Sequence, residues 1–380
     1  MDFELTEEQT MLRQMTHKFL EREFLPVIKE KDRQSEFPFE VIKKMGALGL
    51  AGGVVPLKYG GGGIDWVTHA IISEELGRAA FSLCLIVSIV QIGLVEMSIL
   101  NWGNEEQKQK YLPRLCKGEI IGCLATVEPN VGSNGAAIET KAVQDKNYWV
   151  LNGNKVWITN GYVADIAVVT ARAKDGLVAF IVERGTPGFL INKIEGVMGN
   201  HISGIASLTF DNCRIPQENL LGKVGDGFKL AMSSIQQARF GIAAGSVGTA
   251  QSCLDYCVKY AKERYQFSKP IGSFQLIQEM IANMTVETEA ARFLTYRAGY
   301  LRDKGLPYAR ETSMAKYYAT EVALRAATNA IRLHGAYGYC DDFPVERSLR
   351  DIMGPIIFGG TNEIQKLIIG RDVLGISAFA

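Results

Sequence analysis

The chain has 380 residues, of which 41 are basic, 41 are acidic and 47% are hydrophobic. This length exceeds the roughly 250–300 residues at which a single hydrophobic core stops growing, so it predicts two or three packed subdomains. The balanced charge lacks the basic excess of nucleic-acid-binding and polybasic membrane-surface proteins, so we expect neither partner and look for recognition in a pocket.

Residues 1–117 are predicted to form a helical domain. Thr6 and Gln9 make a capping-box pattern at the start of an amphipathic helix. The glycine-rich segment 56–63 interrupts the helical pattern. Residues 79–95 carry no charge and approach the minimum length of a membrane span, but the polar residues among them favour a buried core helix.

Residues 118–222 change to the short apolar runs that are typical of strands. The segments 148–151 and 155–158 are predicted to be two strands joined by an Asn152-Gly153 turn. Further strands are predicted at 166–171, 177–182 and 206–210, which favours a small barrel or sandwich.

Residues 223–380 return to long helical patterns, which predict a C-terminal helical bundle. The fold class is therefore expected to be α+β, with a β domain between two helical domains.

Several kinds of catalytic site lack support in the sequence. Four histidines lie far apart, and no HExxH, GxSxG, GxxxxGK[ST] or strand-linked GxGxxG motif is present. The seven cysteines form no CxxC pair, so neither a disulfide framework nor a zinc site is expected. Residues 1–10 are acidic and lack the zones of a signal peptide, so a reducing cytoplasm is the expected compartment.

Six segments, spread in order over almost the whole chain, resemble motifs of the acyl-CoA dehydrogenase family. They are residues 56–63, 127–134 (similar to T-E-P-x-A-G-S-D), 157–161, 264–267 (similar to R-x-Q-F), 335–339 (similar to G-G-x-G-x) and 360–365. The resemblance implies an N-terminal helical domain, a middle β domain and a C-terminal four-helix bundle. It also implies FAD as cofactor, an acyl-CoA or acyl-carrier-protein thioester as substrate, an electron-transferring flavoprotein as partner, and a homotetramer or homodimer.

The resemblance assigns cofactor contacts position by position. Trp157 and Thr159 would meet the flavin ring, where a hydroxyl donor stabilises reduced flavin. Arg264, Gln266 and Phe267 would contact its adenine and diphosphate across a subunit boundary. The full cofactor set is Leu124, Thr126, Val127, Ser133, Trp157, Ile158, Thr159, Arg264, Gln266, Phe267, Phe274, Gln275, Arg332, Gly335, Ala336, Thr361 and Glu363.

A second set is expected to bind the substrate: Gln91, Ser133, Gln236, Arg239 and Gly360. Arg239 matches a family arginine near the substrate's phosphates. Taken without the resemblance, each of these patterns has a structural explanation: Trp157 and Ile158 as β core, residues 132–134 as a turn, and Arg264 and Arg239 as solvated helix residues.

The family's catalytic carboxylate is missing from both of its known positions. Most members place a glutamate directly before the Gly-Thr of the last motif, where this chain has Gly359, and a minority place it at the position of Ala238. Such a group normally accepts the α-proton of the acyl thioester. On the resemblance alone, Gly359→Glu is predicted to create ordinary dehydrogenation.

Three explanations remain open at this point. The base has moved to an N-terminal-domain helix, as in members that make cyclic dienes, where Gln91 and Glu96 lie, although Glu96 faces elsewhere on a regular helix. Alternatively, a cyclic, unsaturated or carrier-tethered acyl group needs no such base, with water or Asp341 serving instead. Thirdly, the chain binds flavin without catalysis, as in the nucleic-acid-associated branch. A reductase running the chemistry backwards is the closest enzymatic rival.

Overall fold

The computed structural model of the protein describes residues 4–378, so that residues 1–3 of the acidic N-terminal segment lie outside it. Helical, β and helical units follow one another along the chain, in the predicted order. The α+β class is therefore confirmed.

The N-terminal unit is built from helices, with a loop between residues 48 and 65. Its capping box is confirmed, because the Gln9 amide donates to Thr6 Oγ1 over 3.2 Å and the Thr6 amide donates to Gln9 Oε1 over 3.1 Å. The helices are α1 (Glu7–Glu23), α2 (Leu25–Gln34), α3 (Phe39–Ala47), α4 (Trp66–Ala79), α5 (Phe81–Cys84), a π-helix (Leu85–Glu96), α6 (Met97–Trp102) and α7 (Glu105–Cys116).

The long apolar segment of this unit is a core element. Phe81–Trp102 is long and apolar enough to cross a bilayer, yet 89% of its most apolar stretch is buried inside the protein. Its side chains pack in the largest hydrophobic cluster of the protein and in a second cluster that includes residues of the β unit. The expectation of a buried helix, made from its polar residues, agrees with this packing.

The middle unit is one hydrogen-bonded sheet of seven strands, so the predicted β domain is confirmed, while its form as a barrel or sandwich stays a prediction. The strand order is β1-β4-β2-β3-β7-β6, and β5 pairs with β4. The strands are β1 (Gly122–Ala125), β2 (Lys141–Asp145), β3 (Tyr148–Ile158), β4 (Ile166–Ala173), β5 (Gly176–Glu183), β6 (Phe189–Lys193) and β7 (Ala206–Pro216).

The predicted Asn152-Gly153 turn is wrong. β3 runs through both residues as a single strand and pairs with β7 on either side of an irregularity between Leu151 and Gly153. A Cβ at residue 153 would lie 2.6 Å from Thr140 Oγ1. Glycine is therefore required here by the close approach of Thr140, and it carries no turn.

The C-terminal unit is a bundle built on one long helix, α8. This helix packs against α4, the π-helix, α9 and α10, so it lies between the N-terminal unit and the rest of the bundle. The elements are α8 (Gly227–Glu263), a small hairpin β8 (Tyr265–Gln266) and β9 (Lys269–Pro270), α9 (Gln275–Asp303), α10 (Ala309–His334), α11 (Val345–Ile352) and α12 (Asn362–Leu374).

Glycines set the distance between α4 and α8. A Cβ at Gly77 would overlap the carbonyl oxygen of Gly245, and a Cβ at Gly248 would overlap the carbonyl oxygen of Glu74. The two helices therefore meet backbone to backbone, which no larger residue permits without moving one of them.

One cluster of polar contacts, which we call the three-unit clasp, joins all three units. It consists of Asp32, Asn200, His201, Arg350 and Asp351. Arg350 Nη2 donates to Asp32 Oδ2 over 2.9 Å, and His201 Nδ1 lies 3.5 Å from Asp32 Oδ1. The Asn200 amide donates to Asp351 Oδ1 over 2.6 Å. The clasp thus links α2, the β unit and α11.

We predict that Gly248→Ala destabilises the protein by roughly 1–3 kcal/mol, because the added methyl group enters a full backbone contact. Gly370→Ala is the matched control. Gly370 is also helical, but nothing lies within 4 Å of the place of its Cβ, so alanine is expected to stabilise α12 by up to about 1 kcal/mol. Thermal unfolding checks both changes, and equal melting temperatures would contradict the prediction.

Candidate active site

Strand β3 ends at an exposed aromatic side chain. Trp157 is 60% exposed and has a φ of +60°, and the ladder to β7 is irregular between Lys155 and Ile158. This irregularity turns the indole out of the β core. Left-handed backbone is uncommon for a residue other than glycine and concentrates at functional sites. The half-buried Thr159 follows directly.

The loop after β1 lies beside this strand end. The amide of Val156 donates to the carbonyl of Val127 over 3.0 Å, so the loop is fixed to the edge of β3. Thr126 and Val127 are half-buried, and Ser133 is exposed. The structure therefore places two segments that carry expected cofactor residues, 126–133 and 157–159, next to each other.

A buried ion pair ties the loop after β1 to strand β3. Lys155 Nζ lies 2.8 Å from Glu128 Oε1, and both side chains are almost fully buried. Glu128 also accepts the amides of Glu139 and Thr140, and Lys155 donates to the Thr126 carbonyl over 3.3 Å. This pair was not predicted from the sequence, although a lysine at an inward position of an alternating strand signals it.

Burial and pairing act in opposite directions on the two groups. Burial lowers the pKa of Lys155 to about 8, although Glu128 partly offsets the shift. Burial alone would raise the pKa of Glu128, but hydrogen bonds from Lys155, Thr140 and Glu139 outweigh it and hold that pKa below its usual range. Glu128 is therefore ionised at neutral pH.

Two expected cofactor residues direct their side chains into the core. Ile158 is 2% exposed and lies in the β core, and Leu124 is 7% exposed among the residues that join the β unit to α7. Their side chains cannot meet a ligand, so only their main chain remains for that role.

A second group of expected cofactor residues lies around the hairpin after α8. Phe267 is 88% exposed, Phe274 lies beside it with ring centroids 6.1 Å apart, and the Arg264 guanidinium lies 6.0 Å from the Tyr337 ring. The other members of the group are also exposed: Gln266, Gln275, Arg332, Gly335 and Ala336. A single chain thus leaves this aromatic and cationic surface uncovered.

The third group surrounds the loop between α11 and α12. Gly359 and Gly360 both have left-handed backbones, with φ of +68° and +81°. Thr361 caps α12 by accepting the amide of Ile364, and Glu363 is exposed in the first turn. Its own amide and Thr361 hold the pKa of Glu363 below its usual range.

Two cationic side chains hold the main chain of this loop. Arg239 Nε donates to the Gly359 carbonyl over 2.8 Å, and its Nη1 donates to Gln236 over 3.2 Å. Lys316 Nζ donates to the Gly360 carbonyl over 3.0 Å and to Asn362 over 2.8 Å. Burial lowers the pKa of Arg239 to about 10 and that of Lys316 to about 7.

Lys316 was not identified from the sequence. It lies on α10 with Thr312, Ala319 and Ala323, which are all buried and follow one another at helical spacing. A charged residue on an apolar helix face is the signal that could have found it.

Neither family position for the catalytic glutamate offers a carboxylate. At residue 359 a Cβ would lie 2.5 Å from Ile242 Cδ1, so the isoleucine methyl group takes the place of the missing side chain. Ala238 is 2% exposed, and Gly93 of the π-helix lies against its backbone.

Gln91 is not a pocket residue, contrary to the sequence expectation. Its amide nitrogen donates to the carbonyls of Leu115 and Ile120, and its amide oxygen accepts the amide of Gly122. These bonds occupy its polar atoms between α7 and β1, so the side chain is structural.

Glu96 shares that side of the helix. Glu96 was expected to face away from the pocket on a regular α-helix; Leu85–Glu96 is π-helical, and Glu96 nevertheless lies in the core outside the site. Its carboxyl is fully buried near Cys116 of α7, whose pKa is raised mainly by burial and to a smaller extent by Glu96, and neither carboxyl oxygen has a hydrogen-bond partner among residues 4–378. Burial raises the pKa of Glu96 well above its usual range, because the surrounding core disfavours the charged form of the carboxyl.

Asp341 is also a poor proton acceptor. It forms ion pairs with Arg33 and Lys29 of α2, and these cations hold the pKa of its carboxyl below its usual range. A carboxylate with a lowered pKa is a weaker base.

Between residues 4 and 378 the structure shows neither a candidate metal site nor a disulfide bond. This part of the chain contains no cluster of three metal-ligating side chains. All seven cysteines are free, and six of them are buried.

Three family models match consecutive parts of the chain. They are described as the N-terminal, middle and C-terminal domains of acyl-CoA dehydrogenase, and they match residues 6–119, 123–213 and 225–374. The chain belongs to the acyl-CoA dehydrogenase family. The family predicted from the six motifs is thereby confirmed, and with it the expectation of an oxidoreductase.

The relatives are similar over their whole length. An acyl-CoA dehydrogenase of Bacillus subtilis is 43% identical over 98% of this chain and 99% of its own. An acryloyl-CoA reductase (NADH) of Anaerotignum propionicum is also 43% identical, over 98% of this chain and 96% of its own. A glutaryl-CoA dehydrogenase of Mycobacterium smegmatis, solved in complex with FADH2, has a TM-score of 0.96 at 33% identity and covers 99% of this chain and 97% of its own.

We predict that Lys155→Met destabilises the protein by about 3–5 kcal/mol, because it leaves Glu128 ionised and buried without its cation. It should also speed hydrogen exchange at the amides of Glu139 and Thr140. Lys44→Met is the matched control, since Lys44 pairs with Glu23 at the surface and is expected to contribute only about 0–1 kcal/mol. If the two variants melt together, the buried pair does not hold the loop.

Proposed function

We propose that this chain is an FAD-dependent oxidoreductase that acts on the acyl group of a thioester which needs no side-chain base at residue 359. One observation carries the proposal. The Gly359–Gly360 loop has the left-handed backbone of two glycines and is held by Arg239 and Lys316, while residues 359 and 238 offer no carboxylate.

The chain has a surface that fits a flavin. Trp157 is 60% exposed and so presents aromatic surface to solvent, and the fixed loop beside it carries Thr126, Val127 and Ser133. Trp157 and Thr159 would hold the ring and residues 126–133 would approach it through backbone and hydroxyl groups. When bound, FAD supplies the acceptor for a hydride from the acyl chain.

A second copy of the chain would complete the cofactor site. The hairpin residues Arg264, Gln266 and Phe267 are exposed in one chain, which supports their expected role across a subunit boundary. A guanidinium suits a diphosphate, and an exposed phenyl ring suits an adenine. A homotetramer or homodimer in the cytoplasm, passing electrons to an electron-transferring flavoprotein, is part of this proposal.

The substrate would be a cyclic, unsaturated or carrier-tethered acyl thioester, on coenzyme A or an acyl carrier protein. The structure gives no support to a base moved to the N-terminal unit, because Gln91 is bonded to main chain and Glu96 is sealed next to α7. An acyl group whose oxidation does not require removal of a proton by the protein accounts for the empty positions.

The reductive direction is a second candidate. The relative named acryloyl-CoA reductase (NADH) is as similar to this chain as the named dehydrogenase. One active site catalyses both directions of a reaction, so the same residues would serve, with the flow set by the potential of the bound flavin.

Straight-chain acyl-CoAs are expected to be poor substrates. Loss of a positioned base typically costs about 10²–10⁴ in rate, so butyryl-CoA and octanoyl-CoA should bleach the flavin slowly under anaerobic conditions. Stopped-flow absorbance of the oxidised flavin measures this directly. Rapid bleaching by either compound would show that another group accepts the α-proton.

The structure changes what is expected of Gly359→Glu. Alone, this variant should stay slow with butyryl-CoA, because the left-handed backbone costs about 1–3 kcal/mol and Ile242 Cδ1 fills the position of the new Cβ. Ile242→Val removes that methyl group. The double variant is expected to oxidise butyryl-CoA roughly 10²–10⁴ times faster than Ile242→Val alone.

The single and double variants together test where the pocket lies. Folding is checked by flavin content and melting temperature, and Ile242→Val by itself should cost only about 0.5–1.5 kcal/mol. A folded, flavin-loaded double variant that remains as slow as Ile242→Val would contradict the placement of the acyl α-carbon beside residue 359.

A further inference from the structure

Arg239 is a cation without an anion. No acidic side chain between residues 4 and 378 forms an ion pair with it, and burial is the sole cause of its lowered pKa. Its Nε and Nη1 are occupied by Gly359 and Gln236, while Nη2 has no hydrogen-bond partner in this part of the chain. Keeping a partly desolvated guanidinium unpaired costs free energy.

The missing anion and the missing glutamate belong to the same place. Arg239 Nε is bonded to the carbonyl of Gly359, the residue at which most members of the family carry the glutamate. A Cβ on Gly360 would lie 3.1 Å from Nη2, so the free edge of the guanidinium runs along this loop. The chain has therefore lost one negative charge here and kept the positive one.

We propose that the substrate supplies this anion: it is an acyl thioester with a carboxylate on the α-carbon, which pairs with Nη2 of Arg239. This inference rests on the proposed function, because it assumes that residue 359 marks the α-carbon end of the acyl site. It replaces the broad class of atypical acyl groups by one chemistry, that of a 2-carboxyacyl thioester.

Such a substrate explains why no base is needed. The bond from the α-carbon to the carboxylate breaks and carbon dioxide leaves, while the electron pair of that bond remains on the α-carbon as the thioester enolate. A hydride leaves the β-carbon for FAD, and the α,β double bond forms. The products are the enoyl thioester, carbon dioxide and two-electron-reduced flavin, so atoms and charge balance without a proton acceptor on the protein.

The cation remains useful throughout this reaction. The negative charge moves from the carboxylate to the enolate, a distance of a few bonds, so a guanidinium at the α-carbon faces it before and after cleavage. Nη2 carries two N–H donors that the rest of the guanidinium holds in a fixed plane beside Gly359, whereas a lysine ammonium could not bind Gly359, Gln236 and a carboxylate in the same geometry.

Arg239 could instead bind the phosphates of coenzyme A, as the family resemblance suggested. Two ligands that share these phosphates but differ in the α-carboxylate distinguish the two possible anions. Malonyl-CoA carries the α-carboxylate but has no β-hydrogen, so it binds without being oxidised. Acetyl-CoA has the same phosphates and lacks the carboxylate.

The first experiment measures binding of both ligands to the flavin-loaded protein by isothermal titration calorimetry. Malonyl-CoA is expected to bind at least about tenfold tighter than acetyl-CoA, since it pairs a free guanidinium with a carboxylate. In Arg239→Gln this ratio should fall to about one, with acetyl-CoA affinity retained. Gly359→Glu with Ile242→Val should also abolish the ratio, because the protein then supplies its own carboxylate.

The second experiment compares ethylmalonyl-CoA with butyryl-CoA, which differ by the α-carboxylate alone. Under anaerobic conditions ethylmalonyl-CoA is expected to bleach the flavin at least about a hundredfold faster and to release one carbon dioxide for each flavin reduced, with crotonyl-CoA as product. Bleaching without carbon dioxide would overturn the inference.

The outcomes distinguish this inference from the proposed function. Equal binding of malonyl-CoA and acetyl-CoA overturns it, and so does an Arg239→Gln variant that weakens both ligands equally, which would assign the arginine to the phosphates. Bleaching by a cyclic or unsaturated acyl thioester without a carboxylate would leave the proposed function intact and reject this substrate. A protein that no acyl thioester bleaches would reject both.

Discussion

The backbone contact between α4 and α8 determines where the site residues lie. Glycines 245 and 248 of α8 and Gly77 of α4 allow the two helices to touch without intervening side chains, and Gly241 continues the row against the π-helix. The site residues 238, 239 and 242 lie on the same helix, just before Gly245 and Gly248 in the chain. Because α8 packs closely against its neighbours along this row, the position of Arg239 is fixed, and from there its guanidinium reaches the Gly359 carbonyl.

That fixed position gives the Gly359–Gly360 loop an unusual charge balance. Two basic side chains, Arg239 and Lys316, hold consecutive carbonyls, and no carboxylate between residues 4 and 378 forms an ion pair with Arg239. Burial and the nearby Arg239 lower the pKa of Lys316 to about 7, and Glu363 and Glu321 only partly offset the shift, whereas burial alone lowers the pKa of Arg239. The asymmetry separates a lysine that serves the fold from an arginine whose partner is outside the chain.

The sequence predicted the features that depend on local chemistry or on whole motifs. The Thr6 capping box, the order of the three units and the absence of a glutamate at 359 and 238 could all be found without coordinates. The Asn152-Gly153 turn failed because a short-range hairpin signal competed with a tertiary contact from Thr140. Gln91 failed because its side chain is bonded to the main chain of Leu115, Ile120 and Gly122, which are tertiary partners that no short-range pattern reveals.

The three-unit clasp has a consequence for how ligands enter. Asp32, Asn200 and Arg350 come from three different units, and their bonds are largely buried at the junction. The two bonds join different pairs of units, so two units can move apart only by breaking a contact between buried or half-buried polar groups. Opening the molecule at this junction therefore costs free energy, which any ligand that required it would have to supply from its own binding.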